Sequence, residues 1–306
     1  MAAPDPDAFH VERAAVADGL ELAYVREGIG GHPLLLIHGY PETKRIWWRN
    51  IGPLAEAGFE VIVPDLRGYG DSDLAPDGAY DPGTYATDLH TLVHGVLGHE
   101  RCSVAAGDLG GVVLYDLGLR FPGFVRRQCF FNSVPPVLPE LYAAAGIPEE
   151  RDRASRPAAD YFVRQGTDAD GLAAELDTPE RRRSYIADFY GHRFWAAPGS
   201  FDADEVAFMT EPFADGDRLR AAWCVYELST GNRTPALVPR MFETNPIPTL
   251  VLYGPEDHVV PTTHNDRCEV AFEHCIGPFV VDGAGHFLQW ERADVLNRTL
   301  PHVLLP

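Results

Sequence analysis

The chain has 306 residues, 45% hydrophobic and 23% charged, a balance that fits an ordinary soluble globular protein and excludes disordered or fibrous readings. Its 45 acidic residues against 25 basic ones give a formal net charge of −20, which repels phosphate backbones and anionic membrane surfaces; nucleic acid and membranes are not expected as partners. The cysteines Cys102, Cys129, Cys224, Cys268 and Cys275 are odd in number without CxxC or metal-like spacing, no leader-like N-terminus is present and no apolar run approaches ~18 residues, so a cytoplasmic protein with reduced thiols is expected.

Along the chain, "FHVERAAVA" and "LELAYVREG" flank Asp18 and Gly19, a β-hairpin signal. "HPLLLIHG" and "FEVIVPDL" are short, nearly continuous apolar runs, the pattern of strands buried on both faces of a sheet. Between them "IWWRNIGPLAEAG" reads as a helix ending at Gly58, giving a βαβ rhythm. The rhythm continues with a helix in "TYATDLHTLVHGVLG", a strand in "RCSVAAGD", a helix in "GVVLYDLGLRF" and a strand in "RRQCFFNSV". From about Pro135 to Pro246 buried-strand runs disappear and helical spacings such as Leu219, Trp223 and Tyr226 take over. "IPTLVLYGPEDHVVP" and "GPFVVDGAGH" restore strands, and "RADVLNRTL" supplies a closing helix. The expected layout is one α/β domain split in sequence, residues 1–134 and 247–306, with a helical cap over 135–246 inserted after the sixth strand.

The strand "RCSVAAG" enters a glycine-framed turn, "GDLGG", and leaves as a helix. Such a corner presents a nucleophile and needs small neighbours, because a side chain there would strike the adjacent strand and helix. Gly107, Gly110 and Gly111 meet that need around Asp108; the alternative is that Asp108 only caps the helix. Partners lie after late strands: "LVLYGPEDHVV" offers Glu256 and Asp257, with Asp257 favoured by the G-x-x-D spacing, and "FVVDGAGHFLQWE" offers His286 behind a flexible "GAG". After the third strand, "HGYP" presents the Tyr40 N–H, while Leu109 presents another; two such donors form an oxyanion hole. The alternative is a tight turn around a Tyr40–Pro41 bond. His38 reads as support for its loop, and His258 and His264 show no ligand spacing.

Together, "HGYPE", "DLRGYGDSD", "GDLGG", "GPEDHVVP" and "GAGHFLQWE" stand in the order and spacing of the α/β-hydrolase superfamily. The chain resembles its aspartate-nucleophile branch, most closely the soluble epoxide hydrolases, beside the haloalkane and fluoroacetate dehalogenases. The resemblance implies a mostly parallel central sheet flanked by helices and a cofactor-free, metal-free hydrolase. Asp108 is then the nucleophile, His286 the general base and Asp257 the residue that orients it. It also implies two cap tyrosines that protonate the epoxide oxygen: Tyr161 in "AADYFVRQG" and Tyr226 in "RAAWCVYELS", with Tyr185 and Tyr190 as substitutes. Where relatives often carry Arg after the second tyrosine, this chain has Glu227. Trp48, Trp195 and Tyr190 are the expected pocket walls.

A carboxylate nucleophile suits an sp³ carbon bearing a leaving group, because attack there gives an ordinary ester, whereas attack on a carbonyl gives a labile anhydride. The leaving group is then an epoxide oxygen or a halide. Fluoroacetate dehalogenases carry arginines directly after the nucleophile and three positions later; here stand Leu109 and Val112. Haloalkane dehalogenases typically carry Trp at the first of these, as do many epoxide hydrolases. The expected function is hydrolysis of a small-molecule epoxide to a vicinal diol. A hydrolytic dehalogenase using the same three residues is the alternative, and a non-catalytic receptor of this fold is the rival of another kind. A homodimer is compatible with the sequence.

Overall fold

The computed structural model describes residues 3–149, 160–191 and 195–306. Of the expected insertion 135–246, residues 150–159 and 192–194 lie outside the described residues.

Strands β1 (Val11–Ala17) and β2 (Leu20–Glu27) form the predicted hairpin, turning at Gly19 with φ 68°. β3 (His32–Ile37), helix α1 (Trp48–Glu56), β4 (Phe59–Pro64), α2 (Pro82–His90), β5 (Cys102–Gly107), α3 (Asp108–Arg120) and β6 (Val125–Phe131) follow. Among the described residues, seven helices come next: α4 (Pro139–Ala144), α5 (Asp160–Thr167), α6 (Ala169–Glu175), α7 (Pro179–Gly191), α8 (Ala203–Thr210), α9 (Gly216–Ala222) and α10 (Cys224–Ser229). The chain closes with β7 (Thr249–Tyr253), α11 (His264–Ala271), β8 (Cys275–Val280), α12 (Leu288–Glu291) and α13 (Ala293–Leu304).

The strands form one eight-stranded sheet in the order β1-β2-β4-β3-β5-β6-β7-β8, in which β2 runs antiparallel to both neighbours and the remaining pairs are parallel. This is the mostly parallel, helix-flanked sheet that the sequence led us to expect, with helices inserted after the sixth strand. Every residue of β4 and β5 is buried, which explains their unbroken apolar runs. The registers Ile37 with Ala106, Gly107 with Phe131 and Phe131 with Leu252 bring the carboxyl ends of β3, β5, β6 and β7 to one rim. From β3 the chain steps outward to β4 and then crosses to β5 on the other side, so the crevice between the ends of β3 and β5 is a topological switch point, where open α/β sheets bind ligands.

Local differences from the sequence reading have local causes. The helix expected over 84–98 changes to π-helix at Thr91–Val96, where the Leu97 N–H donates to the Leu92 carbonyl at 2.9 Å. Helix α3 starts at Asp108 itself, so the strand turns into the helix without a linker. Helix α11 was not foreseen: its buried residues are His264, Cys268 and Ala271, a face too small and polar to print an apolar stripe.

Candidate active site

Asp108 sits at the switch point with φ 44°, a left-handed conformation that aspartate tolerates better than most side chains. The glycines around it are steric requirements. A Cβ on Gly110 would lie 2.7 Å from the carbonyl oxygens of Ile37 and His38, and one on Gly111 would lie 2.5 Å from Ser133 Cβ. One on Gly39 would lie 2.6 Å from both Cβ and Oδ1 of Asp108, so the "HG" turn abuts the carboxylate directly. The Tyr40 N–H donates to Asp108 Oδ1 at 2.7 Å, and the Leu109 N–H also serves this carboxylate. Both expected oxyanion donors therefore converge on one group, beside a cis Tyr40–Pro41 bond.

His286 Nε2 lies 3.1 Å from Asp108 Oδ2, and its Nδ1 lies 2.8 Å from Asp257 Oδ2. The other Asp257 oxygen accepts from the N–H groups of Val259 at 2.7 Å and Val260 at 3.2 Å, which fixes the carboxylate plane. Asp257 is buried and Glu256 exposed, so the choice between them falls on Asp257. Burial alone would raise the Asp108 carboxyl, but His286 and the two backbone N–H groups outweigh it and hold the group below the ordinary carboxylate range. Burial likewise opposes the charged imidazole, yet the adjacent Asp257 and Asp108 push His286 well above the usual histidine value.

His38 supports its loop as expected: its Nε2 accepts from the Leu66 N–H at 3.0 Å, leaving Nδ1 to donate to the Gly39 carbonyl at 2.9 Å. His264 stacks on Phe130 and Tyr253, away from any ligand set. Among the described residues, no cluster of His, Cys, Asp and Glu side chains could hold a metal ion.

The inserted helices supply an aromatic roof. Gly166 lets α5 approach α10, since a Cβ there would lie 2.5 Å from Thr230 Cγ2 and 2.8 Å from the Tyr226 carbonyl; the Thr230 hydroxyl donates to the Gly166 carbonyl at 2.8 Å. That approach brings the rings of Tyr161 and Tyr226 to 5.7 Å, edge to face. Tyr226 also packs on Tyr40 at 5.2 Å. Burial raises its phenol well above 10, and Tyr161 and the Asp108 charge add to the shift. Among the described residues the Tyr226 hydroxyl has no hydrogen-bond partner. Trp195 is fully buried, 4.7 Å from the His286 ring and 5.0 Å from Tyr161, which places it over the triad.

Two expected wall residues are placed differently. Trp48 packs against Phe9 and Phe208 and donates its indole N–H to the Asp5 carbonyl at 3.0 Å, on the flank of α1; the sequence reading of Trp48 as a pocket wall is corrected, because helical rotation turns its inward neighbour Trp47 to the core instead. Tyr190 is near the site, but its hydroxyl donates to the Pro41 carbonyl and its ring stacks on Phe287 at 4.6 Å. Tyr185, the other substitute, accepts from Gln165 Nε2 at 2.9 Å, and the same amide donates to the Tyr40 hydroxyl at 2.6 Å.

Sequence reading missed two residues of the site. Asn132, at φ 41° past the end of β6, accepts the Gly254 N–H at 2.8 Å through Oδ1 and donates Nδ2 to the carbonyls of Gly285 and, at 3.3 Å, His286. Its own carbonyl takes the Asp108 N–H at 3.1 Å, so one residue joins the nucleophile, acid and histidine loops. A lone asparagine after a buried strand was the available signal. Glu42 is 2% exposed, accepts the Gly39 N–H at 2.6 Å and the Gln289 amide at 2.9 Å, and is pushed up to about 7 by burial and the nearby Asp108 charge. It stood inside the quoted "HGYPE", read there only for its backbone.

The model of the alpha/beta hydrolase fold family matches residues 32–293, and the chain belongs to that family. It is 31% identical to epoxide hydrolase A of Mycobacterium tuberculosis, across 94% of this chain and 95% of that one. It is 36% identical to the soluble epoxide hydrolase of a Corynebacterium species across 40% of this chain and 42% of that one. Among solved structures, the ligand-free epoxide hydrolase CorEH superposes with a TM-score of 0.81, covering 96% of this chain and 98% of its own, at 23% identity, a likeness of fold.

Proposed function

We propose that this α/β-hydrolase hydrolyses an epoxide to a vicinal diol through a covalent ester on Asp108. One observation carries the reading: the corner where this fold presents its nucleophile holds a carboxylate, with His286 Nε2 at 3.1 Å and the Tyr226 phenol in the roof close enough to feel its charge. Similarity over nearly the whole chain to a curated epoxide hydrolase supports the same choice of leaving group.

In the first step an Asp108 oxygen attacks an epoxide carbon; the C–O bond of the ring breaks and an alkoxide forms. Tyr226 and Tyr161 donate to that oxygen; a phenol ordinarily titrates near 10, and burial raises that of Tyr226 further, so the donor is protonated at neutral pH. In the second step His286, oriented by Asp257, takes a proton from water as the water attacks the carbonyl carbon of the Asp108 ester. The N–H groups of Tyr40 and Leu109 stabilise the oxyanion that forms. Collapse releases the second diol oxygen, which takes the proton held by His286; the other water proton, left on the Asp108 carboxyl, replaces the one the tyrosines gave to the alkoxide, and one water oxygen stays in the Asp108 carboxylate.

A single turnover with enzyme in excess in ¹⁸O-water tests the route. Mass spectrometry of the peptide containing Asp108 should find one heavy oxygen there and none in the diol. An active enzyme whose diol carries the label, with an unlabelled peptide, refutes the covalent path. Halide release from haloalkanes, measured alongside, should be absent.

A further inference from the structure

The His286 turn is held by an unusual set of contacts that the triad does not explain. The Gly285 N–H donates to Glu291 Oε2 at 2.7 Å and the Phe287 N–H donates to Glu291 Oε1 at 2.8 Å, so one carboxylate grips both neighbours of the histidine. The same Oε2 accepts the Ala197 N–H at 2.9 Å and the Ser200 hydroxyl at 3.2 Å, both in the segment between α7 and α8 that roofs the site. The N–H of His286 itself donates to the Trp195 carbonyl at 2.6 Å in that same segment. The approach is close enough to require glycine: a Cβ on Gly285 would lie 2.6 Å from the Trp195 carbonyl oxygen. Every backbone donor of residues 285–287 is thus satisfied by Glu291 or by the roof.

Resting on the ester route proposed above, we infer that Glu291 is a positioning residue through which the roof segment 195–200 sets the histidine for the water-activating step. Asp108 can attack an epoxide without a base, so the first step does not need this alignment. The second step does, because His286 must reach a water molecule poised over the ester, and small misplacement of a catalytic group carries a large rate penalty. The carboxylate is the right group for the position: it offers only acceptor sites to four donors, whereas an amide turns an N–H toward at least one of them.

The test is Glu291→Gln in rapid-quench experiments read by intact mass, which follow formation and decay of the alkylated enzyme. Formation is expected within threefold of wild type, which also reports that the sites are folded, while decay slows by tenfold or more and adduct accumulates. Equal slowing of both steps, or unchanged decay, overturns the assignment. Glu291→Asp, which keeps the charge but withdraws it by one methylene, is the second variant: the same selective loss in decay is expected, and equal loss in both steps overturns the assignment. His286→Gln is the control. Persistent adduct there with unchanged decay in Glu291→Gln removes the role of Glu291 alone; no adduct in His286→Gln removes the ester route and the inference with it.

Discussion

Replacing Tyr226 and Tyr161 by phenylalanine, singly and together, isolates the ring-opening step. The Tyr226 ring keeps its contacts with Tyr40 at 5.2 Å and with Tyr161 and Phe162 at 5.7 Å, so no cavity opens. Among the described residues its hydroxyl serves no protein group, and its removal should leave the melting temperature unchanged within error. On the proposed route, what is lost is a donor to an oxygen that becomes charged in the transition state. A hydrogen bond to a charged group contributes about 1.5–3 kcal/mol, which is about 10- to 150-fold in rate. Each single variant should therefore form the Asp108 adduct about 10- to 150-fold more slowly, and the double variant more slowly than either. Decay of the adduct should stay within a few fold, because the tyrosines have no part in the attack of water on the ester. Rapid-quench mass spectrometry reads both rates. A double variant that alkylates within threefold of wild type would remove the tyrosines from the chemistry and reopen the identity of the leaving group.

Four further outcomes follow from the geometry. Gly39→Ala puts a Cβ 2.6 Å from Oδ1 of Asp108, so turnover should fall at least about a hundredfold in a folded protein; a structure of the variant with Asp108 unmoved would contradict this. Glu42, pushed up to about 7, contributes stability that is present below its unfolded value near 4.5 and lost as pH rises through about 7, on the order of 3 kcal/mol in all; calorimetry should find a steeper fall in melting temperature from pH 5 to 8 in wild type than in Glu42→Gln. Asn132→Ala leaves the Gly254 N–H and the Gly285 carbonyl unpaired and places alanine at φ 41°, so urea unfolding should register a loss of at least about 3 kcal/mol. Trp48→Ala, on the flank of α1, should leave kcat within twofold, and a larger loss would restore it to the pocket.

How much of this was legible in the sequence depends on how local each signal is. The corner was legible because sterics dictate it residue by residue: Gly107, Gly110 and Gly111 had to be small, and Asp108 was the one polar side chain between them. Strand runs were legible because β4 and β5 are buried on both faces. Trp48 failed because an aromatic beside a functional loop says nothing about which way its helix turns, and Trp47 took the inward position. Asn132 and Glu291 were invisible for a different reason. Their work is to join loops far apart in the chain, and no spacing within "FFNSV" or "LQWE" encodes the distant carbonyls, N–H groups and hydroxyl they meet.

On the proposed ester route, the charge arrangement also orders the two steps. In the free enzyme His286 is pushed up by Asp257 and by Asp108, and a protonated imidazole cannot take a proton from water. On the proposed route, esterification of Asp108 removes one of those carboxylate charges and so part of what pushes the imidazole up, while Asp257 continues to raise it. The event that would create the ester thus favours the neutral imidazole that the second step needs. The same reasoning applies to the N–H groups of Tyr40 and Leu109: they depress the resting Asp108 carboxyl and keep it ionised for attack, and they then face the carbonyl oxygen of the ester as it becomes an oxyanion. On the proposed route these N–H groups thus serve a negatively charged oxygen of residue 108 in both steps, whereas a hydroxyl at that position would offer them none in the first.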